Sequence, residues 1–440
     1  MENNSVSLAS IAAAMREKGA DLILLKALAN NDNSKQQIYL GRDFDVLRAI
    51  PTGEVVAAGM TVKDGPIFKA PLNLQWITPA GQAELAPHAQ IILYPRHGEI
   101  RLSGILKNCR SAPSKLMRPP TPEERSQRQN TQRYMVLGIG KAQIFIYVSP
   151  WGSAIEREAR QLISSGEVAP FASVFYEYAP SIIDTRTQLL QALSEIYRKG
   201  PIESSILKNG LPVPYRAQNG AGYTLEALFS IAPNSKPDPD FLNWELKAHS
   251  RGAVTMMTPE PDSGVYLQGM QAFMSRYATR STPDRHDFTG QHKVNIRNPK
   301  SGLTLTMEGY DAERQEILDP DGGLYLRDAS GIDAAGWSFS KLLNHWKRKH
   351  ANTCFLSYNA TNQDGLRYYQ YGPRVTLATG SDLRKFLGSL DKGTLYYDPG
   401  NNLKLINSAW RSKSRNQFRV AWGRIGSLHS EIEHLNLNDW

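Results

Sequence analysis

The chain has 440 residues, of which 41% are hydrophobic and 21% charged, as in an ordinary globular protein. This length exceeds that of one typical core, so we expect two domains. The sequence holds no run of about 18 apolar residues, which excludes a membrane-spanning helix of the usual length. Its two cysteines, Cys109 and Cys354, exclude a disulfide framework and a cysteine-based zinc cluster. We therefore expect a cytoplasmic protein that binds no membrane.

Basic residues outnumber acidic ones by 51 to 42, which gives a formal net charge of +9. They concentrate in two segments, one in each half of the chain. Residues 101–133 hold eight basic residues against two glutamates, and residues 401–425 hold six basic residues and no acid. Such segments favour contact with a polyanion. The sequence therefore predicts double-stranded DNA as a partner.

The first half is predicted to be a strand-rich, mixed domain. Apolar residues at helical spacing predict one helix, from Ser7 to Gly19. Short β-branched or aromatic runs predict strands at 36–41, 54–62, 91–95, 99–106, 133–140 and 142–150. The Pro-rich, charged segment 111–132 is predicted to be a loop. We assign residues 1–195 to this domain and expect it to bind DNA or sense a target. The basic residues expected to form its DNA-reading surface are Arg101, Lys107, Arg110, Lys115 and Arg118.

A helix with an apolar face lies at the predicted boundary and ends at Gly200 and Pro201. It either closes the first domain or opens the second. Residues 196–440 then alternate between helical and strand patterns. Helices are predicted at 223–231, 338–350 and 382–390, and strands at 243–248, 354–361, 366–372, 374–379 and 417–422. This alternation predicts an α/β or α+β domain built on a mixed sheet.

The stretch NWELKA, residues 243–248, carries the strongest chemical signal in the chain. Side chains alternate between the two faces of a strand. The three apolar residues of the stretch therefore point to a core, while Glu245 and Lys247 point together to the opposite face. A turn rich in Pro and Asp precedes them. Its spacing of five residues before Glu245 selects Asp240 as a third member and leaves Asp238 as a turn residue.

This set suits phosphodiester cleavage. Two neighbouring carboxylates, Asp240 and Glu245, are the ligands that a hard divalent cation such as Mg²⁺ prefers. Such an ion polarises the scissile phosphate and activates a water molecule. Lys247 would hold or help to deprotonate that water and offset charge in the transition state. Glu226, on the preceding helix, is a fourth candidate that would bind metal or orient water.

Each element of the set also has an ordinary structural explanation. Glu245 and Lys247 can form an ion pair on a solvated strand face. Glu226 can be a favourable acid in the first turn of a helix whose N-cap is Thr224. A bare pattern of two acids and a lysine does not decide between these interpretations, because short patterns often arise by chance.

The segment from Gly220 to Ala248 resembles the core motif of the MvaI/BcnI restriction endonuclease family, which is related to the nicking enzyme MutH within the PD-(D/E)xK nuclease superfamily. The family motif has a Gly-containing turn, T-L-E on a helix, an aspartate, and E-L-K on a strand. Here these elements stand in order, as Gly220 and Gly222, Thr224-Leu225-Glu226, Asp240, and Glu245-Leu246-Lys247. The resemblance is strongest over residues 215–260 and does not cover residues 1–200.

The resemblance implies a PD-(D/E)xK nuclease fold for residues 196–440, with a mixed central sheet flanked by helices. It implies that the acids bind Mg²⁺, for which Mn²⁺ would substitute, and that the lysine supports hydrolysis. It also implies a monomer without a nucleotide cofactor that cuts one strand at a time. The expected activity is site-specific cleavage of double-stranded DNA in a restriction system.

The basic C-terminal segment is predicted to contact DNA. Arg favours guanine, and Asn or Gln favours adenine, in the major groove. The predicted DNA-binding residues are Lys349, Arg411, Lys413, Arg415, Asn416, Gln417 and Arg419. The alternative for this segment and for the helix end that carries Lys349 is a solvated charged surface.

Two rival functions remain open. One is a strand-nicking repair endonuclease of the MutH type. The other is a non-catalytic DNA-binding protein with a decayed nuclease core, against which the intact acid–acid–lysine set argues.

Overall fold

The structure is a computed structural model that describes residues 6–29, 37–42, 45–63, 65–128, 131–178, 185–217, 219–233, 239–346, 352–381 and 383–440. Contacts between residues divide the chain into two compact units, Met1–Asp184 and Thr185–Trp440. The helix at the predicted boundary therefore opens the second unit. No helix among the described residues is long and apolar enough to cross a membrane.

The described part of the first unit is rich in strands. Its helices are α1 (Leu8–Glu17), α2 (Ser114–Met117), α3 (Pro122–Gln127) and α4 (Ala154–Ser165). Its strands are β1 (Leu22–Leu28), β2 (Ile38–Arg42), β3 (Val56–Met60), β4 (Pro66–Pro71), β5 (Leu74–Ile77), β6 (Ala83–Leu85), β7 (Gln90–Tyr94), β8 (Glu99–Ser103), β9 (Arg133–Ile139), β10 (Ile144–Val148), β11 (Ala169–Phe171) and β12 (Phe175–Glu177).

These strands form two sheets, with the orders β11-β12-β1-β9-β10-β5-β6 and β2-β8-β7-β4-β3. Helix α1 packs its apolar face on the first sheet, and the hydroxyl of Ser7 caps its N-terminus by accepting a hydrogen bond from the N–H of Ser10. The predicted N-terminal helix and the strand-rich character are confirmed. The prediction of a loop over 111–132 was wrong in part, because α2 and α3 form there. Thr121 caps α3 in a capping box with Glu124.

The second unit contains the remaining elements. Its helices are α5 (Thr185–Arg198), α6 (Gly220–Leu228), α7 (Met270–Tyr277), α8 (Phe339–Trp346) and α9 (Leu383–Asp391). Its strands begin with β13 (Ile202–Glu203), β14 (Ser205–Lys208), β15 (Leu211–Pro214), β16 (Glu245–His249), β17 (Ala253–Met257), β18 (Thr279–Thr282), β19 (Arg285–Thr289), β20 (Thr304–Glu308), β21 (Tyr310–Asp311) and β22 (Glu316–Ile317). They continue with β23 (Gly323–Arg327), β24 (Asp333–Ser338), β25 (Asn352–Gln363), β26 (Leu366–Thr379), β27 (Leu395–Tyr397), β28 (Gly400–Ile406), β29 (Ala409–Lys413), β30 (Phe418–Ala421) and β31 (Glu431–Asn436).

The central sheet of the second unit is mixed, as predicted. Its order is β13-β26-β25-β16, and β31 also pairs with β26. Strand β16 runs parallel to β25, whereas β25 and β26 are antiparallel. Helices α5 and α6 cover one face of this sheet, where Leu189, Leu193 and Leu225 pack against Leu246 and Leu356. The mixed α/β class is confirmed, and the predicted strands at 366–372 and 374–379 form the single strand β26.

The two glycines before the T-L-E sequence lie in the first turn of α6 rather than in a separate turn. A methyl group at Gly220 would lie only 2.3 Å from the hydroxyl oxygen of Ser204 and 3.0 Å from that of Tyr369. At Gly222 a methyl group would meet nothing within 4 Å. The absence of a side chain at Gly220 therefore lets α6 approach the central sheet closely.

We predict opposite effects for alanine at these two neighbouring glycines. Gly220→Ala should lower the free energy of unfolding of the second unit by about 1–3 kcal/mol, because the added methyl overpacks the contact with Ser204. Gly222→Ala should leave stability unchanged or raise it by up to about 1 kcal/mol, because alanine favours the helix. Urea unfolding of both variants checks this. Equal stability of the two variants would contradict the close approach at Gly220.

Candidate active site

A tight turn before β16 brings Asp240 beside the strand. Phe241 and Trp244 exchange backbone hydrogen bonds of 2.9 and 2.8 Å, and Leu242 between them has a φ of 55°. The ring of Phe241 packs edge-to-face on Phe229 at the end of α6, with ring centroids 4.8 Å apart. The chain therefore reverses direction within two residues, and this reversal places Asp240 next to the start of β16.

The carboxylate of Asp240 is fixed by the backbone of the strand. The N–H of Leu246 donates a hydrogen bond of 2.9 Å to Asp240 Oδ2. Leu246 directly follows Glu245 in the strand. The bond therefore places the Asp240 carboxylate beside the backbone next to Glu245. A carboxylate offers further acceptor positions on its second oxygen, so the hydrogen bond orients Asp240 without exhausting it.

Alternation along β16 separates the core from the charged side chains, as predicted. Trp244 and Leu246 are buried in the core of the central sheet, and Ala248 packs against it. Glu245 and Lys247 point to the other face, where Lys247 Nζ lies 2.5 Å from Glu245 Oε1. Glu245 is only 1% exposed. This pair is therefore enclosed by protein, unlike the solvated ion pair of the ordinary structural interpretation.

The ammonium of Lys247 lies in the field of three acids. Burial by itself lowers its pKa. Attraction to Glu245, Asp240 and Glu226 outweighs the burial, so the pKa of Lys247 is raised above its ordinary value. Lys247 is therefore a cation at neutral pH.

Glu226 reaches this site from α6. The helix begins at Gly220 with Asn219 at its N-cap, so Glu226 lies in its second turn. Thr224 lies inside the helix, where its buried hydroxyl bonds the backbone of Ser205 and of Gly220. Interpretation of Glu226 as a first-turn acid capped by Thr224 was therefore wrong. Thr224 instead ties α6 to β14.

The donor set has the chemistry that Mg²⁺ requires. Mg²⁺ in proteins is typically held by one or two carboxylates, and water or phosphate oxygens complete its octahedron. Glu245 supplies one such carboxylate, two residues before Lys247 on β16, and Asp240 supplies another, hydrogen-bonded to the backbone of Leu246. Among the described residues, no group of three or more His, Cys, Asp and Glu side chains is arranged to hold a metal ion.

Arg411 and Lys413, two of the predicted DNA-binding residues, are exposed on one sheet face. They lie two positions apart on β29, which pairs with β28. Arg411 is opposite Lys404, and Lys404 is in turn opposite Arg285 on β19. Paired residues point to the same face of a sheet, so Arg285, Lys404 and Arg411 share one face, on which Asp287 pairs with Arg285 at 2.7 Å. Sequence reasoning did not select Arg285, because pairing across three strands is not visible along the chain.

Asn416, Gln417 and Arg419 lie in a different environment. Asn416 is 1% exposed, donates hydrogen bonds of 2.9 Å to Glu260 and Tyr266, and accepts one of 2.7 Å from the hydroxyl of Tyr397. Gln417 donates a hydrogen bond of 3.1 Å to the hydroxyl of Thr255, and Arg419 donates one of 2.8 Å to the carboxylate of Asp398. These three side chains make hydrogen bonds within the unit, whereas contact with base edges requires exposed side chains.

Arg415 lies between these two groups and is half-buried. Its charge acts on Tyr223 of α6, and so does the charge of Glu226. Arg415 therefore brings a cation close to the helix that carries the fourth candidate acid. Lys349, which is predicted to contact DNA, lies outside the described residues. Asp238, which is predicted to be a turn residue, also lies outside them.

The five cations selected in the first unit differ in their partners. Arg101 pairs with Glu99 at 2.6 Å, and Arg118 pairs with Glu124 at 2.5 Å. Exposed side chains are found at Lys107, Arg110 and Lys115. Their role in reading DNA stays a prediction.

Residues 190–429, more than half of the chain, match the model of a restriction endonuclease family, which places the second unit in that class. The chain belongs to the MvaI/BcnI restriction endonuclease family. No curated protein matched the sequence.

Two solved structures of restriction endonuclease MvaI are similar to part of the chain. The MvaI–cognate DNA substrate complex is 17% identical, with a TM-score of 0.46, and the match covers 58% of this chain and 99% of that one. MvaI in the absence of DNA is 16% identical, with a TM-score of 0.31, and the match covers 58% and 98%.

His249 is a residue of this strand that sequence reasoning missed. It continues the two-residue period of Glu245 and Lys247, and this period was the available signal. Its ring stacks on Trp422 with centroids 3.7 Å apart, and it is 8% exposed. Burial, with a smaller effect of Arg374, lowers the pKa of His249 to about 4. The imidazole is therefore neutral at pH 7.

We predict that His249 contributes to acid destabilisation of the second unit. The unfolded chain binds a proton on this histidine below pH 6.5, whereas the folded chain binds it only below about pH 4. Stability is therefore lost as pH falls between these values. His249→Phe keeps the stack and should reduce this loss by about 3 kcal/mol or less. Urea unfolding at pH 7 and pH 4.5 checks this. An identical loss in both proteins would refute it.

Proposed function

We propose that this protein is a Mg²⁺-dependent endonuclease of the PD-(D/E)xK type that cleaves double-stranded DNA at specific sites, as part of a restriction system. The observation that carries the proposal is the enclosed cluster of Asp240, Glu245 and Lys247 in a member of the MvaI/BcnI restriction endonuclease family. Family membership supports the cleavage of DNA as the activity, and the cluster supports metal-assisted hydrolysis as its chemistry.

Asp240 and Glu245 are the proposed metal ligands. When bound, the divalent cation would polarise the scissile phosphate and lower the pKa of a water molecule. The hydrogen bond from Leu246 keeps the Asp240 carboxylate oriented, and the protein around Glu245 excludes bulk water. Fixed charges act more strongly in such an enclosed site than in water.

Lys247 and Glu226 have supporting roles in this proposal. Lys247 carries a positive charge at neutral pH, so it neutralises the acids and would stabilise the negative charge that develops on the phosphate. Glu226 adds a carboxylate in the field of Lys247 and would orient the attacking water. Attack by water accounts for hydrolysis without a covalent intermediate on the protein.

DNA would be held by Lys404, Arg411 and Lys413, whereas Asp287 neutralises Arg285 on the same face. Such contacts go mainly to phosphates and set the register of the duplex. MvaI has been solved with its cognate DNA substrate, and membership of the same family supports duplex DNA as the substrate here. The buried Asn416 would support this surface from below by tying β29 and β30 to Glu260 and Tyr266.

We expect Glu245→Gln and Lys247→Met to abolish cleavage of plasmid DNA in Mg²⁺ while DNA binding is retained. Each change removes a charge at nearly constant size, and losses of about 10²-fold or more follow from removing a single charge-stabilising group. The measurement is gel analysis of supercoiled plasmid with Mg²⁺, with Mn²⁺ and with EDTA.

Glu313→Gln and Lys392→Met are the matched controls, since both residues are exposed in the same unit. The controls should cleave like wild type, and EDTA should stop all cleavage. Wild-type rates for Glu245→Gln or Lys247→Met would overturn the assignment. Accumulation of open circles alone would instead indicate a nicking enzyme.

We expect the double substitution Arg411→Gln, Lys413→Gln to weaken binding of duplex DNA and to reduce its dependence on salt. Each lost phosphate contact lowers the slope of log K against log salt by about 0.9. Fluorescence anisotropy at several salt concentrations measures this slope. Arg314→Gln, which changes an exposed arginine in the turn between β21 and β22, is the control. An unchanged slope would show that this face does not contact phosphates.

A further inference from the structure

The first unit contains a cavity that combines cations with apolar walls. Its volume is about 300 Å³, at the lower end of the range for small-ligand sites. It lies between the end of β1, the start of β2 and residues 117–119. Lys26, Arg118 and Arg133 line it, and none of its described lining residues is an acid.

Lys26 is a buried cation that pairs with no anion among the described residues. The residue is only 8% exposed, and its ammonium lies 5.9 Å from the ring centroid of Tyr39 and 5.8 Å from that of Phe175. Burial lowers its pKa to about 8, and no carboxylate in the described part of the chain acts against this effect. Aromatic rings offset only part of the cost of burying such a charge.

Arg133 is the second buried cation of the cavity, at 4% exposure. Its guanidinium donates to the carbonyl oxygens of Leu116 and Ala29 and stacks on Trp151, 4.5 Å from the ring centroid. These contacts fix its position but supply no negative charge. Arg118 differs, because Glu124 already neutralises it.

We propose that this cavity binds a phosphate group, carried either by a free nucleotide or by a nucleic acid backbone. A phosphate monoester bears nearly two negative charges at neutral pH and a backbone diester bears one, so Lys26 and Arg133 match either group. The fixed guanidinium would bind two oxygens, and the ammonium would approach from between the aromatic rings. This site is independent of the nuclease proposed for the second unit.

The test uses the full-length protein in EDTA, titrated with inorganic phosphate, with deoxyadenosine monophosphate and with a short DNA duplex at constant ionic strength. Isothermal titration calorimetry of wild type is compared with Lys26→Met. The charge-free variant should bind at least one probe about tenfold more weakly. Lys18→Met, which removes an exposed lysine of the same unit, should bind all probes like wild type.

A loss confined to phosphate and the mononucleotide assigns the site to a free ligand, and a loss confined to the duplex assigns it to the backbone. Equal binding by Lys26→Met and wild type for every probe would overturn the proposal. Thermal unfolding gives a readout on wild type alone. At least one of the three probes should raise the Tm of the wild-type protein over chloride at equal ionic strength, and no rise with any of them would also overturn the proposal.

Discussion

The geometry of the candidate site depends on one hydrogen bond, from the N–H of Leu246 to the carboxylate of Asp240. It joins the turn at Leu242 to the strand that carries Glu245 and Lys247. The same strand buries Trp244 and Leu246 in the core of the second unit. Core packing therefore sets the position of the strand, and the strand sets the positions of the acids. Chemistry and stability share the same few residues, so the site cannot move independently of the core.

The parts of this arrangement that follow from local periodicity were predictable. Alternation along β16 assigned Leu246 to the core and Lys247 to the site, and helical spacing identified α1 and α5. What the sequence could not reveal depends on contacts between distant residues. The enclosure of Glu245 results from packing around the central sheet, and the need for glycine at Gly220 results from the approach of Ser204 and Tyr369.

The charged residues show the same difference between what is local in sequence and what depends on distant contacts. The basic segments were visible as composition, but their partners were not. Arg419 is paired with Asp398, and Arg118 with Glu124. Lys26, which the sequence analysis did not select, is a buried cation that pairs with no carboxylate among the described residues. The number of cations in a segment thus overstates the net charge that its surface presents. A single lysine in a strand can be the more important cation for binding an anion.

Strand β16 lies at the end of the central sheet, with β25 as its neighbour on one side. An end strand exposes backbone donors to which another chain can add, and this is a common route to aggregation. Asp240 occupies one such donor, the N–H of Leu246, and Glu245 and Lys247 place charges on the same strand. The residues proposed to act in catalysis therefore also protect the edge, and a chain without all three charges would become prone to self-association.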